Sequence, residues 1–555
     1  MSKNPVTFPG LRSLSLTGLE QSHLLRPIDP ASGVSSELQD GMDSDSAVRL
    51  FRGPKSPSGS PNKYRELCDD RLANLSVSFW TSVQIPNDLA AKAISMYLET
   101  DHPLLGTFEP TQFVGDLVNH QQTSCSPFLA NCVLYWGCQM YSAIDKRLND
   151  YAKDFGKESE RLWDIVKSSD SSLNMIGAQM LSLAYMGNGK DHKVLKYQLE
   201  AVKMGARLGL LGVDRKTAEA RLRKLPQSHL VAYSYAAWGV FNWAVLVSIF
   251  YRQPGVLHLR FPPTLPIPGT SGQYDPISSH PIVQDALPEY MGYTFPAICE
   301  FWQIVREVSL AYFAQGKDPS DNVPLNFAEM KYREILAWAE NLPVQITRDS
   351  NCPHHVVIFH MWIHATILDI FRPFMKQGYA NSQRLRTFSA ADSTPDAAFK
   401  ASVNQLKQLI FDYRSSYESS AYTILWQTAL TYLATSVLQD TADPSWRPWF
   451  MLCIYGYETL RRPYRVAEAI GGGLLTMTMR DTDITTEDAR KILNDLKYRG
   501  LTAPVDEEIR ATFMGDLNMA IKNPEGARME NLAKAFEEVA LLKDYTHGIE
   551  DTEMD

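Results

Sequence analysis

Cysteine is scarce in this chain and is missing from its first part. Seven cysteines are spread singly over 555 residues, and none lies between Met1 and Asn62. An odd number of scattered cysteines does not make a disulfide framework, so we expect reduced, buried thiols in an intracellular protein. Residues 1–20 also lack an apolar run flanked by basic residues, and we therefore expect no signal peptide.

A basic excess is lacking as well. The chain carries 54 Lys and Arg against 63 Asp and Glu, which gives a net charge of −9. Proteins bind nucleic acids largely through the phosphates, so this balance argues against direct DNA binding by the chain. The 45% apolar and 21% charged residues are ordinary for a globular protein.

Signals for β-strands are absent. We find no strand alternation, no hairpin signal and no fixed-period repeat. Helical spacing of apolar residues instead persists from about Leu75 almost to the end. The sequence predicts an all-α fold, a large multi-helix array with a disordered N-terminal segment and an acidic C-terminal tail. The predicted divisions are a Pro/Ser-rich segment (1–75), a helical domain (76–475), and C-terminal helices with the tail (476–555).

The two ends differ in composition from the middle. Residues 1–62 hold seven prolines and many serines without apolar periodicity, which predicts disorder. Residues 536–555 carry seven acids against Lys543, with apolar side chains interspersed. Such a tail fits a segment that folds on a co-regulator, and an ordinary charged terminus fits equally well.

One long stretch, residues 225–251, contains no Asp, Glu, Lys or Arg. Its large side chains, Trp238 and Trp243 among them, surround the predicted helix instead of forming one stripe. A helix that is apolar all round is either the centre of a large fold or a membrane span. Ser234 and Asn242 lie within the run, which favours a core helix sheathed by other helices and no association with a membrane.

Polar side chains recur every four residues near the end of the helical region: Thr423, Gln427, Thr431, Thr435 and Gln439. This spacing places them along one face of a helix. Buried hydroxyl and amide groups need hydrogen-bond partners, so this face is the predicted wall of an internal cavity. It supports an alternative function, an α-helical small-molecule-binding protein or enzyme.

Three cysteines have a spacing that resembles part of a zinc cluster: Cys125, Cys132 and Cys138. Three thiolates cannot bridge two zinc ions, and the residues between them include no Lys or Arg. We therefore interpret these cysteines as core residues.

Four histidines lie near Cys352 in sequence: His354, His355, His360 and His364. His360 and His364 share a helix face, but Met361, Trp362 and Ile363 stand between them. The glutamate base of an H-E-x-x-H zinc site is therefore missing. Core or hydrogen-bonded histidine is the preferred interpretation, with a structural metal site as the alternative.

Other partial motifs fail on chemistry. Asp69–Asp70 and Asn149–Asp150 lack the further acids of a diphosphate–magnesium site. The residues after Asp481 lack the glycine and the glutamate of a calcium loop, and Gly187–Lys190 lacks the upstream glycine of a phosphate loop. The chain contains no G-x-S-x-G. We assign no catalytic, cofactor-binding or metal-binding residue, and we expect no enzyme.

Four segments follow one another in a characteristic order: HPLLGTFEPTQF (102–113), AVKMGARLGLLGVD (201–214), SYAAWGVFNWAVLVSIFYRQPGVL (234–257) and HMWIHATILDIFRPFM (360–375). In this order and spacing the chain resembles the middle homology region of fungal zinc-cluster (Zn2Cys6) transcription factors. The sequence departs from that pattern at Arg252-Gln253-Pro254, where the family more often has Gly-Arg-Pro.

The resemblance implies a nuclear, fungal transcriptional regulator with a helical regulatory or ligand-sensing domain. The N-terminal six-cysteine cluster of the family is missing from this sequence, so its DNA binding is not carried over. We expect either a truncated gene model or a regulator that acts through a DNA-binding partner. Implied partners are co-regulator proteins, a small-molecule effector and a second copy in a homodimer.

Overall fold

The computed structural model describes residues 4–11, 16–25, 67–224, 226, 229–253, 255–270, 287–315, 319–349, 352–375, 384–389, 393–482, 509–521 and 523–535. Helices make up the regular structure of these residues, and no β-strand occurs within them. Two isolated backbone bridges join Lys190 to Arg510 and Met514 to Arg528. The predicted all-α fold class is confirmed.

Helices of eight or more residues within these ranges are numbered here in chain order. They are α1 (Asn87–Thr100), α2 (Pro110–Asn119), α3 (Pro127–Tyr141), α4 (Leu148–Val166), α5 (Ser172–Gly187), α6 (Asp191–Leu208), α7 (Arg215–Leu222), α8 (Leu230–Phe250), α9 (Thr294–Tyr312), α10 (Leu325–Glu340), α11 (His354–Phe371), α12 (Pro395–Ser416), α13 (Gln427–Val437), α14 (Trp446–Leu460) and α15 (Val466–Asp481). Together we call them the helical body.

Local sequence sets many of these helix ends. Ser126 and Ser171 cap α3 and α5 by accepting hydrogen bonds from the backbone N–H groups three residues on. Gly209 ends α6 in the left-handed conformation, and Gly212 is also left-handed with φ at 71°. Glycine adopts these angles without steric cost, so the chain can end α6 and turn here.

Helix α8 lies at the centre of the helical body. Trp238 and Trp243 are each only 3% exposed. Helices α5, α6 and α9 pack against α8. Two of its polar side chains contact neighbouring residues: Trp238 Nε1 donates to the carbonyl of Leu265 at 2.9 Å, and Asn242 Nδ2 lies 3.4 Å from Cys299 Sγ. This burial agrees with the prediction of a core helix.

Two helices in the described part of the chain have the length and composition of a membrane span, Leu230–Phe250 and His354–Phe374. Most of the apolar stretch in each is buried by other helices of the same chain. The apolar surface that suggests a span is thus already covered by protein, as in the core of a water-exposed fold.

Part of the N-terminal segment departs from the predicted disorder. Residues 4–11 lie against α10, α11 and α12, where Asn4 Nδ2 donates to the carbonyl of Leu336 at 2.9 Å. Residues 16–25 pack near α14 and bury Leu19 and Leu24. A few apolar and amide side chains suffice to hold these residues in place, because the helical body provides the surface on which they pack. Composition alone cannot reveal that surface. Residues 26–66 lie outside the described ranges.

The chain returns to the helical body after α15. Residues 509–521 and 523–535, which we call the C-terminal segment, lie against α6, α8 and α15. The predicted division at residue 475 falls inside α15. Residues 483–508 and the acidic tail 536–555 lie outside the described residues.

Candidate functional site

The predicted polar face is divided between different surroundings. Thr423 precedes α13 instead of lying on it, and Gln439 is exposed beyond its end. Thr431 Oγ1 lies 2.6 Å from the Tyr457 hydroxyl on α14, and that hydroxyl donates to the carbonyl of Gln427 at 2.8 Å. These groups therefore fasten α13 to α14 and do not line a ligand-sized cavity.

Two small cavities lie elsewhere, each of about 20 Å³. One lies between α6 and α8 beside Gln198, and the other lies between α8, α9, α11 and α13. A volume of this size holds about one water molecule. Neither wall contains Thr423, Gln427 or Thr431, so the face used to predict a cavity is not where space is found.

Three of the four histidines contact separate polar partners, and His364 lies edge-on to the Phe8 ring with centroids 5.4 Å apart. His354 and His360 lie 2.9 Å and 2.8 Å from the carbonyls of Thr100 and Ile346, and His355 Nδ1 lies 2.7 Å from Thr294 Oγ1. Burial lowers the pKa of His354 to about 4 and that of His360 to about 3. Both are therefore neutral near pH 7, and they act as hydrogen-bonding core residues.

The thiols at Cys125, Cys132 and Cys138 are fully buried. Burial raises the pKa of all three, which keeps them protonated and unreactive. Within the described residues, no three His, Cys, Asp or Glu side chains are grouped so as to hold a metal ion.

A buried cluster of charged side chains joins the chain just after α8 to the chain just after α11. Arg252, directly after α8, forms an ion pair with Asp369 on α11, and its Nη2 donates to the Tyr432 hydroxyl at 3.1 Å. The Tyr432 hydroxyl in turn donates to the other oxygen of Asp369. Arg372 follows α11, with Nε 3.9 Å from the same carboxylate. These four residues form what we call the buried ionic junction.

Burial makes this junction electrostatically strong. Asp369 and Arg372 are each 3% exposed. Charges removed from water attract strongly but lose hydration, so each must find partners in the protein. Arg372 Nη1 donates to Asn518 Oδ1 at 2.9 Å, and its guanidinium lies over the rings of Phe399 and Tyr432. Burial lowers the pKa of Arg372, and Asp369 opposes that shift.

The backbone at the junction is strained. Arg252 has φ at 45°, a left-handed angle that side chains other than glycine rarely adopt. Such a conformation costs about 1–2 kcal/mol for an ordinary residue. The Arg252 guanidinium offsets this through Asp369, Tyr432 and the carbonyl of Ile249, to which Nε donates at 2.7 Å. This is the position at which the resembling family more often carries glycine.

The buried ionic junction holds structural elements together. Asp369 is held between two arginines and a tyrosine. The adjoining cavity is walled by Asp369, Thr366, Trp302 and Trp362 and has room for about one water. The junction therefore connects α8, α11, α13 and the C-terminal segment.

Sequence reasoning missed four buried aspartates: Asp101, Asp191, Asp369 and Asp516. Asp369 had a visible signal, because it is the only Asp, Glu, Lys or Arg between Val356 and Phe371. An isolated charge in an apolar helix calls for a buried partner. Burial raises the pKa of Asp101 and of Asp191 to about 7, and neither shift is visible from sequence neighbours.

Comparison with known proteins found similarity to three curated fungal proteins. The chain is 21% identical over 441 residues to the notoamide biosynthesis transcriptional activator notL' of Aspergillus versicolor, which covers 77% of this chain and 70% of that protein. It is 24% identical over 370 residues to the nitrogen assimilation transcription factor nirA of Emericella nidulans. It is 22% identical over 352 residues to the nitrogen assimilation transcription factor nit-4 of Neurospora crassa.

The aligned shares differ between these relatives. The alignments with nirA and nit-4 cover 62% and 56% of this chain, but only 39% and 29% of those longer proteins. No family model matches the chain, and no solved structure matches it significantly. The similarity between this chain and its relatives thus extends over a large region but not over the whole length of the relatives.

Proposed function

We propose that this chain is a fungal transcriptional regulator whose helical body is a regulatory domain, and that it works in the nucleus without catalysing a reaction. The observation that carries the proposal is the alignment with a transcriptional activator over most of both chains. The partial alignments with two further transcription factors support the same class.

The electrostatics bear on how such a regulator reaches DNA. The chain has a net charge of −9, and its cysteines do not form a six-cysteine zinc cluster within these 555 residues. A phosphate backbone is bound mainly by clustered Lys and Arg. We propose that contact with DNA is made by a zinc-cluster module outside these 555 residues, on a partner protein or on a longer form of the chain.

Other partners follow from the surfaces and the cavities. The acidic, apolar-studded residues 536–555 have the composition of a segment that folds on a co-regulator. A small-molecule effector needs more space than the two cavities of about 20 Å³ offer, so binding at either of them would require the helices to separate. A homodimer is compatible with both of these partners.

A reporter assay tests the function. The full chain is fused to a heterologous DNA-binding module in a fungal host that carries the matching promoter. We expect at least a severalfold change of transcription and nuclear fluorescence of a tagged chain. A fusion that is folded, nuclear and bound at the promoter, yet leaves transcription unchanged, would contradict the proposal.

Matched variants separate the parts of the assay. Replacing the seven acids of residues 536–555 by their amides changes charge while keeping size, and it should remove activation if the tail carries it. The same fusion with Asp164→Asn changes one exposed carboxylate in an ion pair with Lys167 and should behave as the parent chain.

A further inference from the structure

The C-terminal segment docks on the helical body at one fully buried carboxyl. Asp191, the first residue of α6, accepts a hydrogen bond of 2.5 Å from the backbone N–H of Thr512. The backbone N–H of Asp191 donates to the carbonyl of Arg510 at 3.1 Å, and that of Arg510 donates to the carbonyl of Gly189 at 2.7 Å. Asp191 thus contacts the C-terminal segment at the residues where that segment begins.

Apolar contacts continue the docking. The Phe513 ring stacks on Phe250 of α8 with ring centroids 4.6 Å apart. Phe513, Met514 and Leu517 are each at most 1% exposed. Residues 528–530 then return beside 511–514, where the N–H of Met529 donates to the carbonyl of Phe513 at 3.0 Å. The two halves of the segment therefore bury one another as they dock.

Charged groups fasten the other side of the segment. Arg480 on α15 pairs with Asp516 at 2.6 Å, and Arg372 of the buried ionic junction donates to Asn518. Gln253 Nε2 donates to Thr512 Oγ1 at 3.1 Å. All three of these contacts join side chains, and 27 residues (482–508) separate the segment from α15 in the chain.

We propose that the C-terminal segment is a reversible latch on the helical body and that Asp191 links its docking to pH. Asp191 is fully buried and is contacted by Thr512 and Arg510 of the docked segment, and in this proposal its carboxyl faces water once the segment is released. The charged form of Asp191 is therefore penalised only in the docked state.

The surrounding groups agree with this direction. Burial raises the pKa of docked Asp191 to about 7, the N–H of Thr512 opposes the shift, and Glu530 of the segment adds to it. Tyr251 of α8 is the titratable group that faces Asp191 from that helix. Lys190 and His192 flank it on its own element, and Arg510 adjoins it from the segment.

The sign of the linkage follows from these two states. In water the carboxyl titrates near 3.8, and in the docked state it titrates near 7. Docking is thus tightest when Asp191 is neutral, and it weakens as pH rises from about 4 to about 7. Above that window both states carry the charge, and docking no longer changes with pH through this group.

The latch has a consequence for the end of the chain. The acidic residues 536–555 follow directly on the helical turns at 529–535. While the latch is docked, Leu532 stays beside α15, because Thr476 Oγ1 donates to its carbonyl at 2.7 Å. Release of the latch frees the tail to reach further from the helical body.

Hydrogen exchange on the full chain tests the proposal. Deuterium uptake of peptides covering 509–535 is measured at about pH 5.5 and about pH 7.5 and corrected for intrinsic rates. We expect the opening equilibrium of the segment to rise at least fivefold at the higher pH, with a smaller change in α11. An opening equilibrium that agrees within twofold at the two pH values would overturn the proposal.

Two variants assign the effect to Asp191. Asp191→Asn keeps the size and the hydrogen-bond acceptor but cannot ionise, so the segment should stay docked and lose its pH dependence. Asp101→Asn removes the other buried carboxyl whose pKa lies at about 7, and it should leave the pH dependence of the segment in place. Retention of that dependence in Asp191→Asn would refute the role of Asp191. If Asp191→Asn does not fold, the wild-type comparison of 509–535 with α11 decides alone.

Discussion

The indole N–H of Trp136 donates a 2.9 Å hydrogen bond to Oδ2 of Asp101, and both side chains are fully buried. Burial raises the pKa of Asp101 to about 7, and the bond from Trp136 opposes that shift. A hydrogen bond from the side chain of Thr423 also opposes the shift. The pair ties α3 to the turn after α1.

This pair predicts a dependence of stability on pH. The folded pKa of Asp101 lies above its value of 3.8 in the unfolded chain, so its contribution is full below about pH 4 and is lost as pH rises through 7. Asp101→Asn should reduce the change in the free energy of unfolding between pH 5 and pH 7.5 by about 2 kcal/mol. Urea unfolding at both pH values measures it, and parallel curves for the two proteins would contradict the assignment.

The buried ionic junction predicts a large cost for removing its only anion. Asp369→Ala leaves Arg252 and Arg372 buried without their shared carboxylate and should lower the free energy of unfolding by about 3–5 kcal/mol. Asp164→Ala breaks an exposed pair with Lys167 and should cost less than about 1 kcal/mol. Equal costs in chemical unfolding would show that the junction is not a major fastener.

Two helix glycines should respond to alanine with opposite signs. A Cβ at Gly239 in α8 would lie 2.7 Å from Thr107 Cα and 2.9 Å from the carbonyl oxygen of Gly106. Backbone cannot yield as a side chain end can, so Gly239→Ala should destabilise by about 1–3 kcal/mol.

The matched glycine lies in α15. A Cβ at Gly472 meets no atom within 4 Å, so Gly472→Ala should stabilise by about 0.5–1 kcal/mol through helix propensity. Thermal unfolding of both variants measures the contrast. A loss of stability in Gly472→Ala would mean that α15 packs differently at this position.

Docking of the N-terminus predicts an effect from residues that composition assigns to disorder. Phe8 lies edge-on to His364 with ring centroids 5.4 Å apart, and Arg348 Nη2 donates to the carbonyl of Thr7 at 3.2 Å. Phe8→Ala should lower the free energy of unfolding by about 1–2 kcal/mol.

Leu11 provides the control for Phe8, because it is 47% exposed. Leu11→Ala should change the free energy of unfolding by less than about 0.5 kcal/mol. Urea unfolding and proteolysis of the first residues measure the difference. If Phe8→Ala behaves as Leu11→Ala does, residues 4–11 do not contribute to the stability of the helical body.

The main helices could be predicted because their signals are local. The charge-free run at residues 225–251 predicted α8 as a core helix. The polar repeat from Thr423 to Gln439 was harder to interpret, since its spacing fixes a helix face but not what that face meets. Tyr457, on another helix, supplies the hydrogen bond that holds Thr431 in place.

The sequence by itself determined the helical class, the central position of α8 and the similarity to fungal transcription factors, because apolar periodicity and segment order are properties of the linear chain. Only the tertiary structure decided that Arg252 meets Asp369 across 117 positions of sequence and that Thr512 covers Asp191. Charge pairing and burial depend on distances in space, and those distances are set by packing between helices remote in the chain.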